Sequence, residues 1–164
     1  MAPHIRHGWM VFCAVLPQLY VLNLPAEPDE SAALLKITLI GSLAFLLLFA
    51  WLNLGLPGFW LLGLGLSLNF LVIALNGGLM PIAPEAASQV HPETPPQAWL
   101  RGARVGPGSK DVVLEPAQTR LAVLSDRFLL PEWSAYRAAF SLGDVLIALG
   151  VFWLLLSSIE RKEP

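Results

Sequence analysis

The chain has 164 residues, of which 55% are hydrophobic and only 13% charged, with a formal net charge of −2. Soluble domains carry about 25% charged residues, so the composition argues against an ordinary soluble domain. The near-neutral balance, with no basic face interleaved with aromatics, excludes a nucleic-acid binder.

Met1–His7 is a short start carrying His4, Arg6 and His7. Gly8–Leu24 is apolar, interrupted by Pro17 and Gln18. It reads as a retained span rather than a signal peptide. The run is long for a signal h-region, and Leu24-Pro25-Ala26 puts leucine where a cleavage site needs a small residue. Pro25–Ser31 is acidic and turn-rich, hence a loop. From Ile37 to Pro84 there is no Asp, Glu, Lys or Arg. That run is too long for one core helix and fits two spans, 32–54 and 59–75, joined by the uncharged turn Leu54-Gly-Leu-Pro-Gly58. Lys36 can snorkel to the headgroups. Gly63 and Gly65 admit a close helix neighbour, and Asn69 suits a hydrogen bond between helices.

Asn76-Gly77-Gly78-Leu-Met-Pro81 is a helix stop and tight turn, because Asn and Gly tolerate left-handed backbone. Pro84–His91 suits a short helix with Pro in its first turn. His91–Ser109 is rich in Pro and Gly and reads as irregular loop, with Trp99 and Leu100 as an interfacial anchor. Val112–Leu114 and Leu121–Leu124 are two apolar patches, consistent with a small hairpin or with loop patches on a membrane. Asp126–Ala139 returns to the bilayer with Trp133 and Tyr136 as belt residues. The final span is 140–159. Ser141 caps its start, and the S-x-x-D pattern places Asp144 in the first turn, where the helix dipole favours a carboxylate. Arg161 and Lys162 close its far end.

The expected fold class is all-α: a single polytopic membrane domain over 1–164, with four transmembrane helices and an irregular extracytoplasmic loop at 77–137. Four spans put both termini on one side, and Arg6 with Arg161-Lys162 make that side cytoplasmic. Cys13 is the only cysteine, so the loop must hold its shape without an internal disulfide.

Asp126 and Asp144 are the candidate catalytic pair. Two carboxylates sharing a site separate their pKa values into an acid and a base able to activate water. The structural alternative is equally concrete: Asp144 serves its helix N-terminus, and Asp126 pairs with Arg127 or Arg120. His4 and His7 have a His-x-x-His spacing but no further ligand, so no metal is expected. No His lies inside a span and no span has a central Asp, Glu or Arg, which argues against a membrane haem or an ion-coupled transporter. No cofactor is expected.

Phe140-Ser-Leu-Gly-Asp144-Val-Leu-Ile-Ala-Leu-Gly150 resembles the last box of lipoprotein signal peptidase, Phe-Asn-x-Ala-Asp followed by apolar residues and a Gly. Ser141 and Gly143 stand where that box has Asn and Ala. The resemblance covers about Leu121–Leu155 and implies two catalytic aspartates, at Asp126 and Asp144. A longer resemblance, from about His7 onward, is carried by Leu-Asn76-Gly-Gly-Leu-Met-Pro, Thr-Arg-Leu, Leu-Ser-Asp126 and Phe-Ser-Leu-Gly-Asp144. It is to an uncharacterised bacterial family of small integral membrane proteins, and it implies the bacterial inner membrane without supplying an activity. The expected function is a membrane scaffold or accessory subunit whose partners are the lipid bilayer and other membrane proteins. The alternative is a membrane aspartyl hydrolase.

Overall fold

The computed structural model describes residues 4–23, 30–106, 108–131 and 133–160. Residues 25–29 of the expected acidic loop and the Arg161-Lys162 flank lie outside the described residues. The chain is mostly helical. Its helices are α1 (Trp9–Leu22), α2 (Glu30–Leu52), α3 (Phe59–Leu75), α4 (Pro84–Val90) and α5 (Leu142–Glu160). Among the described residues, α2 and α5 are long and apolar enough to cross a membrane, while α1 and α3 have 14 and 17 residues. By length the expectation of four spans is therefore met by two helices. Asn23 trims α1 by bonding back to Leu19 O at 2.7 Å, and Asn76 stops α3 by bonding back to Val72 O at 2.7 Å.

The long helices pack in the order α1, α2, α3, α5. Gln18 on α1 donates to Ser42 on α2. The turn between α2 and α3 is held by Asn53, which is 3% exposed. Its amide donates to Phe49 O at 2.8 Å and Arg6 O at 3.0 Å, and its Oδ1 accepts from Arg6 N–H at 2.7 Å. One side chain thus ties the segment before α1 to the far end of α2. The core between these helices is apolar, with Phe49 and Phe59 meeting edge to face at 5.5 Å.

Helices α3 and α5 cross antiparallel on a seam of glycines. Gly65 faces Gly143, and Gly58 faces Gly150. A Cβ at Gly65 would lie 2.4 Å from Gly143 O, and one at Gly150 would lie 2.7 Å from Gly58 O. On each helix the two glycines are two turns apart and face the same way. Only residues without a side chain allow backbones this close. Gly65 thus has the role the sequence suggested, whereas Gly63 meets only Ala50 Cβ at 3.6 Å.

The segment from 77 to 141 carries short helices and strands, while the described residues of 91–109 stay irregular, as expected, apart from a 3-10 turn at Pro96–Ala98. Strand β1 (Met80–Ile82) pairs in parallel with β2 (Asp111–Val113), Met80 opposite Asp111. Strands β3 (Phe128–Leu129) and β4 (Ala139–Phe140) form an antiparallel hairpin. Helix α4 forms where Pro84 predicted it. The expected hairpin between the two apolar patches is replaced: Val112 joins β1, and Ala122–Leu124 is a 3-10 turn. Glu115-Pro116 breaks the chain between the patches, and β1 offers Val112 a buried partner strand. Trp99, expected with Leu100 as an interfacial anchor, is half-buried, while Leu100 is exposed. Trp99 packs with Ile82, Ala87, Val105 and Val113, and its indole N–H donates to Ser88 Oγ at 3.0 Å. A second cluster of Val21, Leu35, Leu39, Leu79 and Val112 seats this folded loop on the ends of α1 and α2.

Candidate functional site

The two candidate aspartates occupy different polar clusters. Asp126 follows the 3-10 turn at Ala122–Leu124 and continues alongside β1: its N–H donates to Pro81 O at 3.1 Å and it bridges Ile82. On the other side of β1, Met80 N–H donates to Lys110 O at 3.0 Å. Strand β1 therefore brings Lys110 and Asp126 together across 16 residues, and Lys110 Nζ donates to Asp126 Oδ2 at 2.6 Å. Asp126 is 1% exposed, and its Oδ1 has no partner among the described residues. The Lys110 side chain is about one-third exposed and also approaches Asp111 Oδ1 at 3.4 Å.

Burial pushes the Asp126 carboxyl up to about 7, against the opposing pull of the Lys110 ammonium; Asp111 and, least, Asp144 add to the rise. For Lys110 burial works downward, but the charges of Asp126 and Asp111 outweigh it and hold the ammonium above its usual range. The arginines expected to pair with Asp126 do not. Arg120 and Arg127 are exposed, and Lys110 takes the place.

Asp144 sits in the first turn of α5. Its Oδ2 accepts from Ser141 N–H at 2.9 Å, and its own N–H donates to Ser141 Oγ at 3.1 Å. This is the reciprocal cap that the S-x-x-D pattern predicted. Asp144 Oδ1 accepts from the Asn69 amide of α3 at 2.7 Å. The Ser141 hydroxyl, fully buried, lies 2.9 Å from both Asn69 Oδ1 and Asp144 Oδ2. It has one proton, so it serves one acceptor at a time. Asn69 thus makes the interhelical hydrogen bonds expected of it. Among the described residues no hydrogen bond links Asp126 to Asp144.

Asn76 ends α3 and also clamps a distant turn: its amide donates to Arg120 O at 2.8 Å, and its Oδ1 accepts from Arg120 N–H at 2.9 Å. Gly77 and Gly78 both have positive φ, +82° and +93°. Pro81, expected in the turn, lies in β1 instead. It has no N–H to give, and its carbonyl receives Asp126. His4 and His7 are exposed, and the described residues hold no group of three metal-ligating side chains.

Lys110 was not legible as a partner. Six basic residues lie between Gly77 and Arg137, and only the pairing of β1 with β2 selects one. The Asn69–Asp144 bond spans 75 residues and had a signal in the only strongly polar side chain of α3.

No curated protein and no solved structure matches the chain. A family model described as a family of unknown function, DUF5317, matches residues 3–156. The match covers nearly the whole sequence, including α3, the folded loop and α5, and the chain belongs to this DUF5317 family.

Proposed function

We propose that the protein is a small integral membrane protein, with α1, α2, α3 and α5 as four spans in a bacterial inner membrane, both termini cytoplasmic and residues 77–137 outside, acting as a non-catalytic scaffold or accessory subunit. The observation carrying the non-catalytic reading is the occupancy of the two aspartates. Both oxygens of Asp144 are committed to Ser141 and Asn69, and Oδ2 of Asp126 is held by the Lys110 ammonium, with Oδ1 buried. The membrane reading is supported by the outward faces. Leu149, Phe152, Leu155, Leu156 and Ile159 of α5 are all at least 44% exposed, as are Ile37 and Trp51 of α2. Water would not stabilise such faces, whereas lipid or a partner helix would.

The hydrolase reading rests on one specific observation: Asp126 is an acid raised to about 7 that senses the charge of Asp144. The two readings separate experimentally. The tagged protein is purified from native membranes beside its Asp144→Asn form, and both are assayed for cleavage of membrane-peptide substrates. The scaffold reading expects a stoichiometric partner with both forms and no cleavage by either. Cleavage by the wild type that Asp144→Asn abolishes, with the fold retained, would overturn it.

A further inference from the structure

Two cavities meet at the base of the β3–β4 hairpin. One, of about 500 Å³, has Ser88, Gln89 and Arg137 in its walls. The other, of about 620 Å³, is an apolar groove along α5 lined by Phe140, Val145, Ala148 and Phe152. Leu130 and Ala138 line both. The backbone rung between them, Leu130 N–H to Ala138 O at 3.0 Å, fixes the junction. A cationic, hydrogen-bonding compartment therefore adjoins an apolar groove at that rung.

We propose that this cleft binds one anionic phospholipid, with its phosphate on Arg137 and one acyl chain along α5. The inference rests on α5 being a membrane span. At the hairpin tip Trp133 and Tyr136 are 87% and 78% exposed, a pair suited to headgroup depth. From Asp144 to Phe152 the groove descends roughly 12 Å at 1.5 Å per residue. One leaflet contributes half of the ~30 Å hydrocarbon core, so the groove fits most of one chain's depth.

The charge pattern selects the head. A guanidinium matches phosphate with paired donors. Ser88 Oγ already accepts from Trp99, which leaves its proton free to donate. Among the described residues two carboxylates face this region. Asp144 lines the groove, but both its oxygens are engaged by Ser141 and Asn69. Glu93 is exposed and bonded to His91 Nδ1 at 3.0 Å. A zwitterionic head would bring its own cation towards Arg137, and inorganic phosphate would leave the groove unfilled.

The test uses the full chain in detergent, titrated with phosphatidylglycerol, phosphatidylcholine of the same chains, or inorganic phosphate, and read by native mass spectrometry and thermal melting. An arginine near an anionic lipid is worth about a fivefold preference. Phosphatidylglycerol should therefore bind roughly fivefold tighter than phosphatidylcholine and raise the melting temperature. Arg137→Gln should remove that preference while keeping the melting temperature of the lipid-free protein. Ala148→Trp, filling the groove, should weaken both lipids together. Equal binding of the two lipids, a preference that survives Arg137→Gln, no effect of Ala148→Trp, or the same stabilisation by inorganic phosphate alone would each overturn the proposal. A chain that stays monodisperse after detergent removal would contradict the membrane reading instead.

Discussion

Gly78 and Gly77 share a left-handed backbone, yet their surroundings differ. A Cβ at Gly78 would meet Lys36 Cβ at 2.7 Å, whereas at Gly77 it would meet nothing within 4 Å. Gly77→Ala should cost about 1 kcal/mol from backbone strain alone. Gly78→Ala should cost more, because α2 must also shift. Thermal melting in detergent checks the order, and equal small effects would contradict it. The buried pair makes a second prediction at this scale. Asp126 is raised from 3.8 to about 7. Its contribution to stability is therefore full below the unfolded value and is lost as pH rises through the folded one. The wild type should lose stability between about pH 4 and 7, and Asp126→Asn, which cannot ionise, should remove that slope. Lys110→Met should cost towards the lower end of the ~3–5 kcal/mol for a broken buried pair, since Lys110 is partly exposed. Its cost should be greater at pH 8 than at pH 5, because at pH 8 the wild-type carboxylate is ionised against Lys110, and the variant must either bury that charge alone or bind a proton. A pH-independent cost would show that Asp126 is not the group responsible.

At the scale of elements, the contact between α3 and α5 depends on the absence of side chains. Gly143→Ala would place a Cβ 2.0 Å from Asn69 Oδ1 and 2.8 Å from Gly65 O. It should disturb the cap on Asp144 as well as the helix spacing, costing about 1–3 kcal/mol as overpacking does. Gly63→Ala, with its nearest neighbour at 3.6 Å, is the matched control and should be nearly silent. If both behave alike, the seam is not close-packed. Much at this scale was legible beforehand. Charge-free runs and Gly or Asn stops placed all four long helices to within about two residues, because apolar periodicity and backbone freedom are local properties. Ser141 and Asp144 were legible as a cap for the same reason. The folded loop was not. Its strands are two or three residues long, and β1 finds β2 across almost thirty residues that include α4. No local pattern encodes that pairing. Lys110 could not be matched to Asp126 without it, nor could Trp99 be placed in a core.

At the scale of the molecule, the folded loop and the helices form one connected structure. Gly108 N–H donates to Leu22 O at 3.0 Å, and Leu79 and Val112 pack with Val21, Leu35 and Leu39. The loop thus sits over the ends of α1 and α2, while Asn53 and Arg6 mark the opposite end. In the proposed topology those two ends face opposite sides of the membrane. Cysteine labelling in intact cells tests this most directly. In a Cys13→Ser background, a cysteine replacing Gly108 should react with a membrane-impermeant thiol reagent, and a cysteine replacing His4 should react only after the cells are opened. Labelling of the His4 position in intact cells, with the Gly108 position protected, would reverse the orientation, and labelling of neither or both would contradict an odd number of spans between a cytoplasmic start and an external folded loop.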